Sequence, residues 1–111
     1  MAILECELHG SFDQILRDIE NSVLGGSMSA SREDQSDFKG EHSQCAVRVY
    51  ERYSMVGSNR VSLNLTLMKE DNRIFLSAIT SGGSQAVFWK VNTFGEEAFL
   101  DTIRSAVNRY R

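Results

Sequence analysis

The hydrophobic patterning predicts a small α+β fold: an antiparallel β-sheet of five to six strands with two helices packed on one face. Two observations carry this. Residues 45–54, 60–69 and 73–81 each alternate apolar and polar side chains, the period of a half-buried strand, and short polar turns join them. On either side of these strands stand segments whose apolar residues recur at helical spacing behind capping residues. The predicted order is β-α-β(4-5)-α in one domain spanning residues 1–111, since a chain of this length supports one core and buries about two thirds of its unfolded surface.

Residues 3–8 put Leu4, Cys6 and Leu8 on one side and Glu5 and Glu7 on the other, which predicts a first strand. His9-Gly10 breaks that pattern. Ser11 with Gln14 forms an S-x-x-Q capping box, and Phe12, Ile15, Leu16, Ile19 and Val23 then line a helix predicted over 12–24, with Gly25-Gly26 as a left-handed stop. Residues 27–44 are polar and turn-rich, anchored by Met28, Ala30 and Phe38. A short edge strand over 28–33 and then a surface loop is the expectation, because charged side chains keep a sheet edge from pairing with strangers. A mobile lid is the alternative, since long loops in compact domains often carry function.

In the next strand Cys45, Val47 and Val49 are expected on the dry face, and Ala46, Arg48, Tyr50 and Arg52 on the wet one. After a turn at 56–59, Val61, Leu63, Leu65 and Leu67 alternate with Ser62, Asn64 and Thr66. The turn Glu70-Asp71-Asn72 leads into a strand where Phe75 and Ile79 oppose Ile74, Leu76 and Ala78, as in a central strand or one covered on both sides. Gly82-Gly83 suits a two-residue hairpin into a further strand over 85–91, because both positions tolerate positive φ. A second box, Thr93 to Glu96, opens a last helix lined by Phe99, Leu100, Ile103, Val107 and Tyr110. Its acids, Glu96, Glu97 and Asp101, stand near the expected start and Arg104, Arg109 and Arg111 near the end, matching the helix dipole.

This order resembles the β-α-β4-α plan of the TATA-box-binding protein repeat and, in extended form, of helix-grip lipid-binding domains. That resemblance implies a curved sheet with its helices on one face, and a shared fold carries no function by itself. The run from Ser77-Ala78-Ile79-Thr80-Ser81 through Gly82-Gly83-Ser84 and Phe88-Trp89-Lys90 to Ala98-Phe99-Leu100 is similar to a stretch of an uncharacterised family of small bacterial proteins, mainly Gram-positive, with a domain of unknown function. The resemblance implies no activity, cofactor or catalytic residue.

The formal net charge of −3 and the charged share of 24% disfavour non-specific nucleic-acid binding, which draws on cations set against phosphate. The acidic N-terminal run Glu5-Cys6-Glu7 is unlike a signal peptide, and the apolar runs fall far short of the roughly 20 residues of a membrane span. With two cysteines the chain reads as cytoplasmic, with reduced thiols.

Four Cys and His residues form mirrored pairs, Cys6-x-x-His9 and His42-x-x-Cys45, and a structural zinc site takes four such ligands. Residues three apart in a strand point to opposite faces, and this is not a standard zinc spacing, so no metal is assigned. Thr80-Ser81-Gly82-Gly83-Ser84 lacks the lysine and following helix of a phosphate loop and reads as a hairpin turn. Arg48, Tyr50 and Arg52, with Arg60, Arg73, Trp89 and Lys90, offer a stacking surface for single-stranded nucleic acid or a nucleotide, against a solvated face or a dimer surface as the plainer reading.

No nucleophile and base stand in an arguable constellation, so no catalytic residue and no cofactor are assigned, and an enzyme is the weaker class. The leading reading is a non-enzymatic small-ligand-binding or protein-interaction domain, with Phe75, Ile79, Phe88, Trp89 and Phe94 lining an apolar pocket or contact. The alternatives are a structural homodimer through an aromatic sheet face and a nucleic-acid binder using Arg48, Tyr50, Arg52 and Trp89.

Overall fold

The computed structural model describes residues 1–54, 59–82 and 89–111. They form β1 (Ala2–Leu8), α1 (Phe12–Gly25), β2 (Ser31–Lys39), β3 (Ser43–Ser54), β4 (Asn59–Glu70), β5 (Arg73–Gly82) and α2 (Trp89–Asn108). The five strands make one antiparallel sheet in the spatial order β1-β5-β4-β3-β2. Helix α1 carries the chain from the β1 edge to the β2 edge, and β2 to β5 then meander back. Helix α2 packs on β5, β1 and β4, and α1 packs on α2 and β4.

Alternation along β4 explains the core. Val61, Leu63, Leu65 and Leu67 all point to the helices and are buried, beside Leu76 and Ala78 of β5. Ile15, Ile19 and Val23 of α1 and Phe99, Leu100, Ile103 and Val107 of α2 close over them. Each fully buried side chain of this size contributes about 1.5–3 kcal/mol relative to exposure.

Local chemistry sets the ends of α1. The Ser11 hydroxyl accepts from the Gln14 N–H at 3.4 Å, but the Gln14 side chain reaches forward to Asp18 at 2.9 Å, so only half of the capping box forms. The helix does not stop through a left-handed glycine: Gly26 has φ −82°. Glycine is required there for room, since a Cβ would lie 2.9 Å from the Ser22 carbonyl oxygen and 3.2 Å from Thr102 of α2. Gly10 differs, with φ +141° and a built Cβ 3.2 Å from the Tyr110 ring. Tyr110 locks the two ends of the chain together. Its carbonyl accepts from the His9 N–H at 2.6 Å and its hydroxyl donates to Asp18, which pulls the Asp18 carboxyl below its usual range.

Several expectations are corrected. The dry face of β3 is the opposite one: Ala46, Arg48 and Tyr50 are buried, while Cys45, Val47 and Val49 are half-buried on the far side. Register explains this, because Ala46, Arg48 and Tyr50 pair with Leu67, Leu65 and Leu63, whose side chains already face the helices. The expected short strand over 28–33 is instead β2, running to Lys39 through the region read as loop, with a bulge between Arg32 and Asp34.

At the other end, the predicted strand over 85–91 is not formed by its final part, since Trp89 to Val91 open α2, and residues 85–88 lie outside the described residues. Thr93 therefore lies inside the helix and not at its N-cap position. Glu96, Glu97 and Asp101 are interior to it as well, and Glu96 is buried against the Met1 amino group. Tyr110, expected in the helix, follows its last residue. The turn residues 56–58 and Gly83 also lie outside the described residues.

Candidate functional site

Five strands have two faces, and the helices cover one. On the open face the registers put Phe38, Cys45, Met68 and Phe75 opposite one another in sequence across β2, β3, β4 and β5. Opposed side chains on neighbouring strands stand about 4.5–5.5 Å apart, so the four form one continuous apolar row. Phe38 is 63%, Met68 45% and Phe75 38% exposed. Four residues further along, Val49, Asn64, Ile79 and Ile3 form a second row across β3, β4, β5 and β1, with Ile79 and Ile3 exposed. Between the rows lie Val47, Thr66 and Ser77, which keep the middle of the face flat.

Charged groups border this surface. Arg73 pairs with Glu7 at the β1 side, and the Arg73 guanidinium holds the Glu7 carboxyl below its usual range. Arg60 pairs with Glu51 at 2.8 Å near the other end. A hollow of about 200 Å³ lies beside Met68 and Phe75, with Glu7, Glu70 and Arg73 on its margin, and another of about 220 Å³ lies beside Val47 and Val49. Both are below the 300–1,000 Å³ of ordinary small-molecule pockets, so the face is shaped for a broad contact.

The residues expected to hold nucleic acid are split between the faces. Arg48 is 8% exposed and Tyr50 fully buried, both on the helix side. The Tyr50 hydroxyl donates to Glu20 of α1 at 2.7 Å, Arg32 reaches the same carboxylate at 2.9 Å, and Arg48 pairs with Asp37 at 3.0 Å. Burial, then the bond to Glu20, pushes the Tyr50 hydroxyl far above its ordinary pKa. Arg52 lies over the Phe99 ring at 4.8 Å, and burial lowers its pKa. Arg60 and Arg73 are on the opposite face, so no common stacking platform is assembled from these residues. These polar groups tie α1 to the sheet.

Of the residues expected to line a pocket, Phe75 and Ile79 stand on the open face and not between sheet and helix. Trp89 and Phe94 belong to α2, but their side chains lie outside the described residues, as does Phe88. Cys6 pairs with Leu76 and faces the helices, where burial raises its thiol pKa. Cys45 is on the open face three strands away, a separation of about 14 Å at the usual strand spacing. His9 follows β1 and His42 lies in the β2–β3 turn, and the described residues contain no cluster of three or more metal-ligating groups. Thr80 is buried and donates to the Glu96 carbonyl at 3.0 Å, while Gly83 and Ser84 lie outside the described residues.

Phe38, Cys45, Met68, Val49 and Ile3 are the members of the surface that sequence reasoning missed. For Met68 the signal was available, since the turn at Asp71-Asn72 fixes it opposite Phe75 once a two-residue hairpin is assumed.

No helix among the described residues is long and apolar enough to cross a membrane. Comparison with curated proteins finds no match. A family described as "Family of unknown function (DUF6054)" matches residues 1–111, the whole length given, and the chain belongs to that family.

Proposed function

We propose that this chain is a cytoplasmic, non-enzymatic protein-interaction domain of a single unit, and that its working surface is the open sheet face. The observation that carries the reading is the row Phe38, Cys45, Met68, Phe75, with Ile79 and Ile3 beside it. An antiparallel sheet can leave one face to water, and that face is then ordinarily polar. This one places aromatic and aliphatic side chains where water would meet them, and contiguous exposed apolar surface of this kind marks contact sites. The small size of the hollows on this face favours a macromolecule over a small ligand. The β-α-β-β-β-β-α order supports extending the proposal to the helix-on-one-face plan of the TATA-box-binding protein repeat, a plan that leaves its other sheet face free.

Methionine oxidation tests the reading. Met28 is fully exposed and Met68 lies on the middle strand of the face, so Met28 serves as an internal control. In intact cells Met68 is expected to oxidise many-fold more slowly than Met28, and in dilute purified protein the ratio falls to the smaller one set by the 45% and 106% exposures of the two side chains. Equal protection ratios in cells and in dilute protein would refute an occupied face.

A further inference from the structure

We infer that the partner of the open face is a second copy of this chain, packed sheet to sheet about a two-fold axis running along β4. This rests on the interaction reading above and names its partner. The size fits: five strands at about 4.8 Å and nine or so residue rows at about 3.3 Å give a face of roughly 700 Å², near the ~800 Å² per partner of a standard interface. Edge pairing is the competing way to join two sheets. At the β2 edge it is guarded against by Arg32, Glu33, Asp34, Asp37 and Lys39 and by the bulge, since charge and irregularity suppress strand addition.

The registers make the middle strands of the face self-complementary. Rotation about a line along β4, the middle strand, lays the β1 side of one copy over the β2 side of the other. The apolar row then maps onto itself in reverse. Met68 meets Met68 of the second copy on the axis, Cys45 meets Phe75, and Phe38 comes over the hollow between Phe75 and Glu7. In the other row Val49 meets Ile79 and Asp34 meets Ile3. The perpendicular axis would instead set Glu5 of β1 against Glu5 of the second copy, a like-charge contact with no cation opposite it on β5, where its register partner is Ser77. Along β4 the axis passes neutral Asn64, Thr66 and Met68, and the charged residues at its two ends, Arg60 and Glu70, each meet their own copy with a counter-charge beside them, Glu51 and Arg73. The two layers would stand about 10 Å apart with strands within about 30° of one another.

Sedimentation of the full chain from micromolar to millimolar concentration tests the inference. A monomer–dimer equilibrium is expected. Phe75→Asp should weaken it by about thirtyfold or more, as loss of a central interface anchor does, and Phe38→Asp, on the edge strand β2, by a smaller factor. Ser105→Asp, exposed on α2, should leave it unchanged. Both Phe positions are exposed in the isolated chain, so the variants fold, and unchanged circular dichroism verifies it. In a background with Cys6→Ala and Cys45→Ala, spin labels at Met68→Cys should lie closer between copies than labels at Ile3→Cys, which stand about four strand spacings, or ~20 Å, apart. A chain that stays monomeric at millimolar concentration, a dimer that survives both Phe substitutions, or the reverse order of label distances overturns the inference. If purified protein is monomeric while Met68 is protected in cells, the second copy is excluded and the interaction reading stands.

Discussion

Replacing Tyr50 with Phe removes one hydroxyl from the sealed side of the sheet while keeping the ring that fills the space between Leu63 and α1. The hydroxyl donates to Glu20 at 2.7 Å. Hydrogen bonds to charged groups contribute about 1.5–3 kcal/mol. Glu20 retains Arg32 at 2.9 Å and is partly exposed, so the low end applies. The expected loss near neutral pH is about 1.5 kcal/mol, or roughly 6 °C in melting temperature for a chain of this size.

The pH dependence is sharper. In the fold the Tyr50 pKa is raised above its ordinary 10.0, so at higher pH the unfolded chain has released a proton that the folded one keeps. Stability from this group is fully present below pH 10 and falls as pH rises, by about 1.4 kcal/mol per pH unit. Phe lacks that loss. The two proteins should therefore converge above pH 10 and reach equal stability about one unit higher. Urea titrations followed by circular dichroism at successive pH values measure this. A wild-type advantage that stays constant through that range, or no advantage at neutral pH, would refute the placement of Tyr50 on the helix side.

Leu65→Ala, at the fully buried centre of β4, should cost about 2–5 kcal/mol in urea unfolding, whereas Phe75→Ser on the open face should change the stability of the isolated monomer by less than about 1 kcal/mol. Gly26→Ala should destabilise by about 1–3 kcal/mol in the same assay through its collisions with the Ser22 carbonyl and Thr102, and an unchanged unfolding midpoint would contradict that close approach. Saturating zinc should leave the melting temperature unchanged, because Cys6 and Cys45 face opposite sides of the sheet; a rise of several degrees abolished by either Cys→Ser substitution would contradict that geometry.

Much of the architecture was legible. Strands with one uniformly aliphatic face, such as Val61 to Leu67, and helices with a clean apolar stripe, such as Ile15 to Val23, have only one arrangement that buries them. Strand β3 was ambiguous because both of its faces carry apolar bulk. Valines at 47 and 49 outrank Arg48 in hydrophobicity, yet Tyr50 and the Arg48 stem hold more carbon, and their polar tips find Glu20 and Asp37. Those partners are 30 and 11 residues distant in sequence, so no local pattern announces them. Strand β2 is polar on both sides except at Phe38, and nothing in its period marks it; pairing with β3 makes it a strand.

By itself, the sequence determined the class of the molecule, the positions of β1, α1, β4 and β5, and the side of β4 that is dry, because hydrophobic periodicity is a local property of the backbone. Only tertiary structure decided which side of β3 faces inward, that Cys6 and Cys45 are kept apart, and that Phe38, Cys45, Met68 and Phe75 meet in one line. The physical reason is that strand register joins residues distant in the chain, and the choice between faces is settled by which one the helices can cover while giving every buried polar group a partner.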